Sequence, residues 1–170
     1  MRTVTQPLRE EHKELLPHIE ALRSAGDSVA EVPLESLRHS IDQVHEFLTH
    51  HLLPHAQAEE QALYPVVARI LGAPEATATM RRDHVEVGRL IEELTSLRAQ
   101  LSSGGLSASL ARDLRRVLYG LYTLVKTHFV KEEEVYLPLL DVHLAESEAH
   151  RMFAAMEEAA AQAKAQIRAQ

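Results

Sequence analysis

Two stretches of the chain set an imidazole one helical turn before a carboxylate and close on a proline: "HAQAEEQALYP", from His55, and "HFVKEEEVYLP", from His128. Superposed, histidine falls on histidine, Glu59 on Glu132, Glu60 on Glu133 and Pro65 on Pro138, at an offset of 73 residues. Residues four apart in a helix share one face about 6 Å along the axis. Each stretch therefore offers a nitrogen and an anionic oxygen to the same point, which is ligand chemistry for a first-row metal ion. Two more histidines repeat in step. "LREEHKELLPHIEAL" and "MRRDHVEVGRLIEEL" put His12 on His84 at an offset of 72 residues.

A single His-x-x-x-Glu pair carries little weight in a chain with eleven histidines. The repeat singles out His12, His55, His84 and His128 from the rest. Two His-x-x-x-Glu pairs on facing helices, with one imidazole from each remaining helix, would enclose two metal ions bridged by carboxylates. Glutamates buried there without a cation would be costly, and a metal ion removes that cost. Helical projection favours Glu132 over Glu133, since they stand about 40° and about 140° from His128. Glu60 and Glu133 are then expected beside the metal or at the surface, Glu60 as a possible further ligand. By the same projection Tyr136 lies about 80° from His128, near the ligand face, whereas Tyr64 lies half a turn from His55 and should point elsewhere. His51 stands one turn before His55, but Pro54 disturbs the register. Its place is beside the site or at the surface. Met80, Met152 and Met156 read as core filling.

Four long helices must position these residues. The first begins near Thr5, with Pro7 in its first turn, carries Leu8, Leu15, Ile19 and Leu22, and should end at Gly26-Asp27. The second runs from about Leu34 to Leu71, with a kink expected at Pro54. The third covers about Pro74 to Leu101 and the fourth about Ser107 to Leu140, separated by the loop "SSGG". A fifth, shorter helix is expected over about 145–168. The predicted architecture is all-α: an up-down-up-down four-helix bundle with an additional C-terminal helix and an internal two-hairpin repeat. At 170 residues this is one domain, its core bundle spanning about 5–140.

Composition narrows the chemistry. There is no cysteine, so disulfides, thiolate metal sites and thiol nucleophiles are excluded. A formal net charge of -7 leaves no basic stripe for a nucleic-acid backbone. No stretch has the apolar length of a membrane span and the N-terminus lacks a secretory pattern, so the expected setting is cytoplasmic.

On His12, "PHAQAEEQALYP", His84 and "THFVKEEEVYLP", the chain resembles the hemerythrin-like, HHE cation-binding domains over essentially residues 1–160. The resemblance implies two iron ions in an oxo- or hydroxo-bridged centre, with manganese or zinc fitting less well. It implies His12, His55, His84 and His128 as imidazole ligands, Glu59 and Glu132 as bridges, and a diatomic or peroxide partner: dioxygen, nitric oxide or peroxide. Peroxide- or oxygen-reactive turnover is one consequence. An iron store or an iron or oxygen sensor without turnover is the alternative. Oxygen-carrying members have a further histidine four residues after the one on the third helix, where this chain has Gly88. They also place a carboxylate five residues after the fourth-helix histidine, here Glu133, which keeps the choice between Glu132 and Glu133 open. With Gly88 in place of a ligand, reversible oxygen carriage fits less well than peroxide turnover, oxygen reduction or iron sensing.

Overall fold

Apolar residues recurring every three or four positions dictate helices. In the computed structural model, which describes residues 3–169, helix is the only regular structure among those residues. The first rod is α1 (Gln6–Ser28). The second is built end to end from α2 (Leu34–Phe47), α3 (Leu53–Ala58) and α4 (Tyr64–Leu71). Wide π-helical turns at Leu48–Leu52 and Glu59–Leu63 join these pieces. After a 3-10 turn at Pro74–Thr77 comes α5 (Ala78–Ser103). The fourth rod is α6 (Ala108–Lys131) and α7 (Leu137–His143), joined by a third π turn at Glu132–Tyr136. α8 (Glu146–Arg168) follows.

The rods close a ring. α1 packs on α2 and α6, and α5 packs on the same two helices, while α8 lies outside against α3 and the π turn that begins at Glu59. Ser107 caps α6 by accepting from the Leu110 backbone N–H at 3.1 Å, and Gly72 ends α4 in the left-handed conformation, φ 64°.

Three local expectations are corrected, at Thr5, Gly26 and α8. Thr5 precedes α1 without capping it. Its N–H and hydroxyl instead donate to Asp141 at 3.0 and 2.8 Å. Gly26 does not end α1 but lies inside it, where a Cβ would come within 2.8 Å of the Tyr119 ring. At Pro54, where a kink is expected, a π turn stands just before the proline, which has no N–H to offer and whose ring crowds the carbonyl four residues back. α8 is as long as α1, 23 residues each. A stripe of Ala149, Met152, Met156, Ala159 and Ala163 buries it and keeps it helical past the point where the sequence turns polar.

Two apolar clusters fill the bundle. One is built on residues such as Ile19, Leu22, Ile41, Leu48, Leu94, Leu118 and Phe129. The other holds Leu8, Leu63, Tyr64, Met80, Tyr136, Leu140, Met152 and Met156. Along the first three rods the histidine singled out by the repeat falls between residues of one cluster and residues of the other, and on the fourth His128 stands at the same junction beside Phe129, the last residue there of the first cluster. The polar layer is thereby shut off from solvent at both ends.

Candidate metal centre

That layer contains His12, His55, His128, Glu59 and Glu132, all buried, with His84 at its margin, 9% exposed. Glu59 and Glu132 have no exposed surface at all. Each carboxylate divides its two oxygens between two pairs of imidazoles. Glu59 Oε1 faces His55 Nε2 at 2.9 Å and His12 Nε2 at 3.9 Å, and Oε2 faces His84 Nε2 at 3.3 Å and His128 Nε2 at 3.9 Å. Glu132 Oε2 lies 3.5 Å from His12 Nε2, and its Oε1 lies 3.5 Å from His128 Nε2. Two groups of candidate ligands result, sharing Glu59: His12, His55, Glu59 and Glu132 in one, Glu59, His84 and His128 in the other.

The outer ring nitrogens explain why the inner ones point inward. His12 Nδ1 donates to Glu133 at 2.8 Å, His55 Nδ1 to Glu11 at 3.0 Å, His84 Nδ1 to Glu60 at 2.9 Å and His128 Nδ1 to Asp83 at 3.0 Å. Ionised carboxylates only accept, so each bond fixes the proton on Nδ1 and leaves the Nε2 lone pair free for a metal. The bonds run around the bundle: first rod to second, second to third, third to fourth, and fourth back to first. Three of the carboxylates are themselves held by cations. Arg9 pairs with Glu133 and, at 3.1 Å, with Asp141; Lys131 pairs with Asp83; Arg81 stands 3.8 Å from Glu60.

Inside the ring the hydrogen bonding is incomplete. His12 Nε2, His55 Nε2, both oxygens of Glu59 and Glu132 Oε2 are buried without a hydrogen-bond partner among the described residues. A buried polar atom left unpaired costs about 1–3 kcal/mol, so five together in one layer demand a compensating group. A metal ion supplies it, and the donor set of imidazole nitrogen and carboxylate oxygen is one that such ions take. Without metal, protons do part of the work. Burial depresses His55, but the charge of Glu59 and the bond to Glu11 outweigh it and lift its pKa well above the usual value. Burial likewise opposes protonation of His128, yet the nearby Glu132 and Glu59 carboxylates carry it up to about 10. Burial raises the Glu59 carboxyl, but the neighbouring His55, His12 and His128 imidazoles hold it well below its ordinary range. Glu132 is pushed up by burial and by the neighbouring Glu59 charge.

The tyrosine at the cluster is Tyr64, not Tyr136. Its hydroxyl donates to Glu132 Oε1 at 3.0 Å and stands 3.1 and 3.3 Å from His128 Nε2 and His84 Nε2. The π turn from Glu59 absorbs roughly one extra residue, which brings Tyr64 from half a turn to about 80° from His55. A helical side chain also leans toward the N-terminus, carrying the hydroxyl back to the level of the histidines. Tyr136 is buried too, but its hydroxyl donates to the Ala76 carbonyl at 3.0 Å. Glu60 and Glu133 stand behind His84 and His12. His51 is exposed, its ring stacked 6.3 Å from that of Phe47. A Cβ at Gly88 would meet nothing within 4 Å, so the chain leaves open space there. A cavity of about 20 Å³ adjoins Glu59, His55, His84 and His128 and is lined as well by apolar side chains such as Leu52, Val87, Val125 and Phe129.

Sequence reasoning missed Glu11 and Asp83. The aligned repeat contained the signal, because both stand immediately before the repeated histidines His12 and His84. Each serves the histidine of the next helix rather than its neighbour.

A helical bundle with a buried histidine and glutamate cluster belongs to the class of proteins that hold a cation between their helices. A family model described as the hemerythrin HHE cation-binding domain matches residues 3–140, and the chain belongs to that family. No curated protein and no solved structure matches it. Among the described residues no helix is long and apolar enough to cross a membrane.

Proposed function

We propose that the chain binds two iron ions between Glu59 and Glu132 and reacts there with peroxide or dioxygen. The observation that carries this reading is the set of five unpartnered buried atoms, arranged so that each carboxylate has one oxygen toward each pair of imidazoles. His12 and His55 would hold one ion, His84 and His128 the other, in an up-down-up-down bundle of two repeated hairpins. When bound, the paired ions supply reversible electron exchange with a small oxygen-containing ligand.

The chain's own groups do the rest. Glu133, Glu11, Glu60 and Asp83 fix the imidazole tautomers. The Tyr64 hydroxyl sits where it can donate to, or itself join, the His84 and His128 position. The apolar cavity beside Glu59 admits a ligand of about the size of a water molecule, which suits a diatomic or peroxide and excludes larger organic substrates. Gly88 fits this role better than oxygen carriage, since it leaves space where carriers have a ligand.

The test is anaerobic loading with ferrous iron, elemental analysis and absorption spectroscopy before and after addition of peroxide. Two irons per chain, near-ultraviolet bands that change with peroxide, and peroxide consumption are the expected result. Iron bound with no reaction would favour an iron store or sensor. A protein that takes up no iron and keeps the same melting temperature with and without it would refute the reading.

A further inference from the structure

The two clusters flanking the metal layer differ in what they are made of. The one that includes Ile19, Leu94 and Leu118 contains neither methionine nor a buried tyrosine. The other contains Met80, Met152, Met156, Tyr64 and Tyr136. The chain has no tryptophan and no cysteine, so tyrosine is its most readily oxidised aromatic group. Its remaining tyrosines, Tyr119 and Tyr122, are committed elsewhere, donating to Asp27 and Glu20. Among the described residues, the tyrosine that hydrogen-bonds the candidate ligands is Tyr64. Tyr64 touches the centre through its hydroxyl, and its ring stands edge-on to that of Tyr136, with centroids 6.1 Å apart. Tyr136 in turn reaches the Ala76 carbonyl, at the end of the exposed segment 71–75.

We infer that Tyr64 and Tyr136 form a two-step electron relay from the bundle surface near Ala76 to the metal layer, giving the protein a peroxidase activity toward phenolic one-electron reductants. This rests on the reading of the layer as a redox-active iron site. In each half-cycle the Tyr64 O–H bond breaks, its electron goes to the peroxide-oxidised centre, and its proton passes along the existing hydrogen bond to Glu132. Tyr136 then reduces the Tyr64 radical. Glu132 returns the proton to Tyr64, and the proton of Tyr136 leaves to water at the Ala76 edge. An external phenol restores Tyr136 by giving it one electron and one proton. Over two half-cycles one hydrogen peroxide takes up two electrons and two protons and leaves as two waters, while two phenols become phenoxyl radicals. The short passage keeps strongly oxidising equivalents from lingering beside Met80, Met152 and Met156, whose thioethers they would convert to sulfoxides.

The experiment mixes iron-loaded full-length protein with hydrogen peroxide, freezes it within milliseconds for electron paramagnetic resonance, and follows oxidation of 2-methoxyphenol in parallel. The wild type should show a tyrosyl signal that narrows with ring-deuterated tyrosine. Tyr136→Phe should lower steady-state 2-methoxyphenol oxidation, and the peroxide turnover coupled to it, by about tenfold, while the initial reaction of the iron-loaded protein with one equivalent of peroxide stays within about twofold; it should also raise sulfoxide at the three buried methionines. Tyr136→Leu, which installs the residue found at the repeat-related Leu63, should behave the same way. Tyr64→Phe should remove the signal. Phenol oxidation unchanged in both Tyr136 variants, with peroxide still consumed, would overturn the relay and leave the iron site standing. Failure of the wild type to bind iron or consume peroxide would overturn both.

Discussion

Around one oxygen of Glu59 stand two imidazoles and the far oxygen of Glu132; around the other stand two imidazoles and a phenol. The ligand positions come from a repeated sequence, yet the two halves are not equivalent. Tyr64 matches Leu137 in the repeat, and Leu137 is wholly buried in the apolar cluster. Both halves face one oxygen of each carboxylate, but the His84 and His128 half adds a polar hydroxyl, a slightly exposed His84 and open space at Gly88. The repeated sequence duplicates the candidate ligands, whereas what surrounds them is set residue by residue, and there the two halves differ.

The comparison is broken most thoroughly at the shared residue. Glu59→Ala removes an oxygen from each half, so both ions should be lost and the stabilisation by iron abolished. For a ligand present at about a thousandfold excess over its dissociation constant that stabilisation is about 4 kcal/mol. Elemental analysis and melting curves check it. Two ions retained in this variant would mean that Glu59 bridges nothing.

Removing one imidazole tests whether the halves are separate. His84→Ala should leave about one iron per chain, held by His12, His55, Glu59 and Glu132. His12→Ala should weaken the other half while Tyr64, His84 and His128 remain. Titration with ferrous iron, followed by Mössbauer spectroscopy of the partly loaded variants, distinguishes the two remaining environments. Identical spectra from both variants would erase the proposed inequivalence.

Much of this arrangement was legible in the sequence because it rests on periodicity. The repeat brought out the four histidines and both central glutamates, and the helical angle placed Glu133 behind its neighbour, where it holds His12. The same angle failed at Tyr64, since it assumes a uniform turn and Glu59 begins a π turn; at Tyr136 it did not foresee the bond to the Ala76 carbonyl. Pro65 and Pro138, which the repeat aligns, each stand at the second position after such a turn. Proline alone was not a sufficient signal, because Pro17 lies within an uninterrupted α1. The carboxylate ring was hidden for another reason. Every bond in it crosses between helices, so Glu11 and Asp83 acquire partners only once the bundle is assembled.

Acidity distinguishes the metal-free from the loaded state in both halves. His55 and His128 have folded pKa values above that of free histidine, about 6.5. The stability they contribute is complete below that value and is lost as pH rises, through about 10 for His128. Metal-free protein should therefore lose melting temperature steadily between about pH 7 and pH 10. Iron must displace those same protons, so its apparent affinity should rise across the same window and fail below about pH 5. Calorimetric scans across this window should show the metal-free stability falling and the iron-loaded stability nearly flat, because the gain in affinity offsets the loss. Parallel slopes would mean that the inner nitrogens do not carry the exchanged protons.

The smallest expected effects belong to the carboxylates behind the imidazoles, and they grade the comparison more finely. An amide at any of these positions can turn a donor toward Nδ1 and so reverse the tautomer that leaves Nε2 free. Such changes typically weaken metal binding by about 10–100-fold. Asp83, 17% exposed and paired with Lys131, has little solvent to substitute for it, so Asp83→Asn should fall toward the upper end. Glu11, 47% exposed and without a lysine or arginine at ion-pair distance among the described residues, can be replaced in part by water. Glu11→Gln should therefore weaken its half the least. Chelator competition measured on each variant gives the order. An effect at Glu11 equal to that at Asp83 would show that the hydrogen bond alone fixes the tautomer, and that the cations behind the ring add nothing to it.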